Sequence, residues 1–182
     1  QVCNIFDFEP SKVPFIPNFI WASPPCYTFS VASIGHHWTG GKGAYIPKTK
    51  EAVIGIKIAQ KTKEIIDYYK SINPNLLYLV ENPRGVLRKL DIFPEEELKT
   101  AWYCQYGDTR AKPTDLWTNF DWKPKTCKNG NPDCDHERAP RGSRTGTQGL
   151  KGNYERSIVP ADLCKKIISK VEVHLFTLRH GK

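Results

Sequence analysis

Residues 19–30, FIWASPPCYTFS, and residues 76–85, LLYLVENPRG, decide how this chain is read. Each is a short apolar run that ends in proline, at Pro24-Pro25 and at Pro83. Such runs read as buried strands. Between them, from about Lys50 to Tyr69, the residues Val53, Ile56, Ala59, Ile66 and Tyr69 recur at helical spacing. Lysines and glutamate fill the gaps, so the expected helix has a solvated, lysine-rich outer face. Asn73-Pro74 stops it, because the residue before a proline is driven out of helical conformation. Strand, helix and strand in this order predict an α/β domain. In such a sheet the carboxyl ends of neighbouring strands open onto the crevice where ligands bind. Cys26 falls just beyond the end of the first strand and Glu81 at the end of the second.

Outward from this frame, residues 31–50 hold four glycines, two histidines and several lysines, and read as a loop with little to pack. Glu95-Glu96-Glu97 marks the first turn of a short helix, where carboxylates suit the positive end of the dipole. Residues 100–106 and 114–120 form two further strands around a Gly107-Asp108 turn. From Asp121 to Gly152 the composition shifts to Gly, Pro, Lys, Arg, Cys and Asp with no apolar period. This is an irregular insert that needs something other than a core to order it. Pro160 stands at a helix start, and Leu163, Ile167, Ile168 and Val171 give the closing helix an apolar side that includes Cys164. The domain thus comprises residues 1–120 and 153–182, interrupted by the insert at 121–152.

The 182 residues can bury one good core. With 27 Lys and Arg against 19 Asp and Glu the net charge is +8. The excess fits a polyanionic partner, nucleic acid before membrane, though charge alone equally fits a basic protein kept in solution by it. No apolar run approaches the span of a bilayer and no secretory signal is present, which points to a cytoplasmic protein whose six cysteines are thiols or metal ligands. The chain starts at Gln1 and has no methionine, so further residues are expected upstream.

Taken singly, the chemistry-bearing motifs have bland readings. A lone cysteine is more often structural than nucleophilic, and Glu81 followed by Asn82-Pro83 is ordinary turn chemistry. Together they resemble the DNA cytosine-5 methyltransferase family, nearest to its compact bacteriophage members. The resemblance rests on Pro25, Cys26, Phe29 and Ser30, then on Glu81-Asn82-Pro83 at similar spacing. It continues through Tyr106-Gly107, Arg110-Ala111-Lys112 and Leu116-Trp117 to Ser157-Ile158-Val159-Pro160 with Leu163, and includes RGSRTGTQGLKGNYERS at 141–157.

The resemblance implies a partial Rossmann-like, S-adenosylmethionine-dependent methyltransferase fold with a small irregular insert. It implies that Cys26 attacks C6 of a flipped-out cytosine in double-stranded DNA while Glu81 holds the exocyclic amine and N3. Arg110 or Lys112 would stand near the target carbonyl and the thiolate. Asn4, Ile5, Pro25, Ser157 and Val159 would face the methyl donor, and Ser30, Lys42, Arg141 and Arg144 the DNA. The 34–50 loop would close on the DNA backbone through Lys42, Lys48 and His37, and a bacteriophage protein would work in the bacterial host cell.

Departures accompany the match. Asn4-Ile5 replaces the usual Asp-Ile pair, Tyr27 replaces a Gln, and the family's Phe-x-Gly-x-Gly donor turn is missing. The donor cradle is therefore expected from a preceding segment or a second chain; failing that, the chain is a non-catalytic DNA-binding module derived from such enzymes. Separately, Cys104, Cys127, Cys134 and His136 could supply four ligands to a structural zinc that orders the insert, against the plain alternative of free surface cysteines. The basic residues Lys125, Lys128, Arg138, Arg141 and Arg144 suit phosphates and guanine edges, or make a merely basic loop.

Overall fold

A computed structural model describes residues 2–40, 43–127, 134, 136 and 153–180. Its strands are β1 (Phe19–Ala22), β2 (Trp38–Thr39), β3 (Ile46–Pro47), β4 (Leu77–Pro83), β5 (Leu98–Trp102) and β6 (Pro113–Thr118). Its helices are α1 (Ile34–His37), α2 (Lys50–Ile72), α3 (Asn153–Ser157) and α4 (Ala161–His180). The main sheet runs β1-β4-β6-β5, and β2 pairs with β3 in a separate antiparallel ribbon. β1 and β4 are parallel, in register from Phe19↔Leu77 to Ala22↔Val80. The other two pairings, β4 with β6 and β5 with β6, are antiparallel. The architecture is mixed α/β with one parallel pair, and the parallel pair sets the carboxyl ends of β1 and β4 side by side.

The alternation of side chains across the strands builds a core on each face. Ile20, Ala22, Tyr78 and Val80 join Ala52, Ala59 and Ile66 of α2 on one face. Phe19, Trp21, Leu77 and Leu79 join Leu163, Ile167 and Val171 of α4 on the other. Both helices arise where the apolar spacing places them, but the buried lines differ from those expected. Val53 and Ile168 are exposed, whereas Ala52, Gly55, Ala59, Thr62, Ile66 and Tyr69 form the buried line of α2. That line is rich in small residues because the helix lies close against the sheet. A Cβ at Gly55 would come within 2.7 Å of Thr28 Oγ1 and 3.3 Å of the Phe29 ring. Thr49 caps α2 by accepting from the Ala52 N–H, as the orphan donors of a first turn require.

Three expectations change. Residues 31–50 do pack: Trp38 is buried and its indole N–H donates to the Thr28 carbonyl at 2.6 Å, so an aromatic anchors a segment whose composition reads as loop. The acidic run Glu95–Glu97 is one 3-10 turn, since β5 begins at Leu98. The strand expected over 100–106 is β5 ending at Trp102, followed by a 3-10 turn over Tyr103–Tyr106 that closes on Gly107 at φ 82°. Asp121 to Cys127 carry no regular secondary structure.

Candidate active site

The crevice is assembled from two turns fastened to each other. Beyond β1 the chain turns at Cys26, whose carbonyl accepts from the N–H groups of Phe29 (3.0 Å) and Ser30 (3.1 Å). Beyond β4 it passes Arg84 and Gly85, and Ser30 and Gly85 form an antiparallel bridge. The Val86 N–H donates to the Phe29 carbonyl at 2.8 Å. A Cβ on Gly85 would lie 2.1 Å from that same carbonyl oxygen, so only glycine permits this approach. Asn82, fully buried, donates its side-chain amide to the Pro24 carbonyl at 2.9 Å and so holds the Pro24-Pro25-Cys26 turn directly.

Glu81 projects from β4 on the α4 side of the sheet, the side of Leu77 and Leu79. It is buried, and the Tyr103 hydroxyl donates to its Oε1 at 3.1 Å. Burial raises its carboxyl above the usual range; the Lys112 charge and hydrogen bonds from Tyr103 and Ser23 oppose that rise. The Ser23 hydroxyl also accepts from the Trp21 indole at 3.1 Å. Lys112 donates to the Arg156 carbonyl at 2.9 Å, and its ammonium lies 4.8 Å from the centre of the Tyr103 ring. Burial lowers its pKa, while the charges of Glu81 and Cys26 act the other way. Cys26 is partly exposed. Burial pushes its thiol up, Lys112 pulls it down and Glu81 pushes it further up. Thiol, carboxyl and ammonium therefore share one field, and protonating Glu81 removes the charge that most opposes a thiolate at Cys26.

Arg110 is not part of that field's open side. Its guanidinium pairs with both Asp108 oxygens and donates to the carbonyls of Glu155 (3.1 Å), Arg156 (3.4 Å) and Ile158 (3.1 Å). All five donors of a guanidinium are thereby engaged. These bonds tie the chain before β6 to the segment that leads into α4. Lys112 alone of the two stands by the thiol.

An apolar cleft of about 330 Å³ lies beside the Pro24-Pro25 turn, lined in part by Ile5, Ala22, Pro24, Pro25 and Ile58. It brings together two residues expected to face the donor, Ile5 and Pro25. Asn4 stands next to it and uses its side chain to cap the Ile5–Asp7 turn, accepting from the Phe6 N–H at 3.1 Å. Ser157 and Val159 stand apart: Ser157 donates to the Tyr154 carbonyl at 2.7 Å, and Val159 packs into the α4-side core.

Of the residues expected to meet DNA, Ser30 is half-buried with its hydroxyl 3.0 Å from that of Ser33. Lys42, Arg141 and Arg144 lie outside the described residues, as do Lys128 and Arg138. His37 and Lys48 each have a partner within the chain. The His37 imidazole is buried against the Thr49 hydroxyl at 2.7 Å, and the Lys48 ammonium donates to the Gly35 carbonyl at 2.5 Å. Nothing in the sequence marks Tyr103 or Ser23 as site residues; a tyrosine at a strand end carries no local sign of its partner. Cys104, Cys127, Cys134 and His136 are brought together, their ligand atoms all within 4.8 Å of one another.

No helix among the described residues is long and apolar enough to cross a membrane. No family model matches the chain, and no solved structure matches it. A relative does. Over 168 residues the chain is 30% identical to a probable DNA (cytosine-5)-methyltransferase of Frog virus 3 (isolate Goorha), a match that covers 83% of this chain and 73% of the relative.

Proposed function

The chain belongs to the DNA (cytosine-5)-methyltransferase family, and we propose that it transfers a methyl group from S-adenosylmethionine to C5 of a flipped-out cytosine in double-stranded DNA through a covalent Cys26 adduct. The reading rests on the meeting of Cys26, Glu81 and Lys112 at the paired carboxyl ends of β1 and β4. The parallel pair, with a helix on each face of the sheet, fits a Rossmann-like methyltransferase fold.

Cytosine C5 is a weak nucleophile until the ring's aromatic bonding is interrupted, and its edge is out of reach in a stacked duplex. The Cys26 sulfur forms a bond to C6 as thiolate, with Lys112 as the neighbouring cation. Glu81, its carboxyl raised by burial and so readier to carry a proton, gives that proton to N3 and accepts from the exocyclic amine. The ring becomes an enamine whose C5 carries the electron pair. S-Adenosylmethionine, when bound, supplies an electrophilic methyl group, and the cleft lined by Ile5 and Pro25 would hold its adenine end. With C5 methylated, a base removes the C5 proton, the C5–C6 double bond re-forms, Cys26 leaves as thiolate and Glu81 recovers the proton from N3. Tyr103 and Ser23 keep the carboxyl turned toward the base, and Asn82 keeps the Cys26 turn in place.

Transfer of a labelled methyl group to duplex DNA, followed by nucleoside analysis, tests this reading. Label is expected in 5-methylcytosine, with a loss of roughly 10³-fold or more in Cys26→Ser, the scale seen when a nucleophile is removed. A protein that binds both duplex and donor yet leaves cytosine unmodified, or that labels a ring nitrogen or an amine, would overturn it.

A further inference from the structure

The insert's root poses a physical question the methyl-transfer chemistry does not answer. Asp121 to Cys127 have no regular secondary structure, and bonds to the backbone of Lys125 fasten the segment. The Trp102 N–H donates to the Lys125 carbonyl at 3.2 Å, and the Lys125 N–H donates to the Tyr106 hydroxyl at 2.8 Å. Immediately beyond, three thiols and an imidazole converge. The sulfurs of Cys127 and Cys134 lie 3.6 and 3.1 Å from His136 Nδ1. With Cys104, on the 3-10 turn after β5, all four ligand atoms fall within 4.8 Å of one another. Thiols are weak hydrogen-bond partners and gain little by clustering. A tetrahedral zinc with three sulfur ligands and one nitrogen has edges of about 3.5–3.8 Å, given bonds near 2.3 and 2.0 Å. The group needs only small side-chain movements to meet that figure.

We propose that Cys104, Cys127, Cys134 and His136 form a structural zinc site that clamps the root of the insert to the Tyr103–Tyr106 turn. Thiolate and imidazole ligands select zinc over calcium or magnesium, which take oxygen. Four protein ligands close the coordination sphere and leave no position for a reacting water, so the role is structural. The ligands come from three places in the chain: the turn after β5, the end of the 121–127 segment, and residues 134 and 136. The turn also carries Tyr103, whose hydroxyl holds Glu81. The metal thus ties the insert to the residue next to the carboxylate's partner.

The test is metal content of the purified full chain, with cobalt(II) substitution as a spectroscopic second readout; neither depends on methyl transfer. Wild type, Cys3→Ser and Cys164→Ser are expected to carry about one zinc per chain, and Cys134→Ser and His136→Ala less than about a tenth of that. Wild type stripped by a chelator and reloaded with cobalt(II) should show thiolate-to-metal charge transfer and the intense visible bands of a tetrahedral site. That measurement stands even if the ligand variants are insoluble. Wild type that holds less than about a tenth of a zinc and takes up no cobalt overturns the proposal. So does zinc retained in both ligand variants, or a Cys127–Cys134 disulfide in freshly purified protein.

Discussion

Two regions of this molecule hold chemically important side chains by opposite means. At the ends of β1 and β4, backbone does the holding: parallel register from Phe19↔Leu77 to Ala22↔Val80, the Ser30–Gly85 bridge, and the Val86 N–H on the Phe29 carbonyl. Cys26 and Glu81 are placed by a sheet that exists for its own packing reasons. At the root of the insert, the segment 121–127 has no ladder: one backbone bond to Lys125, the Tyr106 hydroxyl, Trp122 buried in the α4-side core and the four atoms of the cysteine–histidine group hold it. The first arrangement is fixed by folding and tolerates little change. The second leans on side-chain contacts, with Trp122 buried in the α4-side core as its packing anchor.

The difference is sharpest under substitution. Gly85→Val drives a side chain into the Phe29 carbonyl, 2.1 Å from where a Cβ must sit. It should cost about 3 kcal/mol or more and abolish adduct formation along with stability, read by urea unfolding. Asn82→Ala deletes the amide that holds the Pro24 carbonyl. A buried acceptor left unpaired costs about 1–3 kcal/mol, and the turnover number should fall further than the loss of stability explains, because the Cys26 turn loses its brace. Tyr106→Phe removes the hydroxyl that accepts from Lys125. It should cost about 1 kcal/mol, and the change should appear in the apparent affinity for DNA with turnover nearly intact. If Tyr106→Phe instead damages turnover as severely as Asn82→Ala, the two regions are not separable.

Glu81→Gln should act in the opposite sense on stability. Burial raises the Glu81 carboxyl, so the folded protein holds a proton there that the unfolded chain releases. The residue therefore costs stability as pH rises from the ordinary carboxylate range through its raised folded value, and costs nothing below that range. The variant is expected to melt slightly higher than wild type at neutral pH and equally at a pH of about 3, below the ordinary glutamate value, while losing methyl transfer. Equal melting at both pH values would mean that Glu81 is solvated, not buried.

The fold was legible where packing is local. Two apolar runs ended by proline and a helical stripe between them place β1, α2 and β4, and the ends of the two strands carry Cys26 and Glu81. The finer stripe on α2 was not legible, because the choice of Ala52 and Gly55 over Val53 reflects how closely Thr28 and Phe29 approach. Site residues divide the same way. Cys26 and Glu81 are ordinary when read singly and stand out only when their motifs are read together. Tyr103 does not, since its partner lies 22 residues away on a neighbouring part of the sheet. Arg110 misleads for a related reason: its partners include carbonyls 45 to 48 residues downstream, which no local pattern exposes. His37 and Lys48 look like a mobile loop's charges and are instead tied to Thr49 and Gly35.

The central claim concerns one sulfur atom, and trapping tests it most directly. Duplexes in which every cytosine is 5-fluorocytosine cannot release the enzyme after methyl transfer, because fluorine replaces the C5 proton that must leave. Incubated with S-adenosylmethionine and the protein, they should yield a denaturation-resistant protein–DNA adduct whose mapped peptide carries the modification on Cys26. Cys26→Ser should yield none. A covalent complex that maps to any other cysteine, or one that Cys26→Ser forms as well as wild type, contradicts the account.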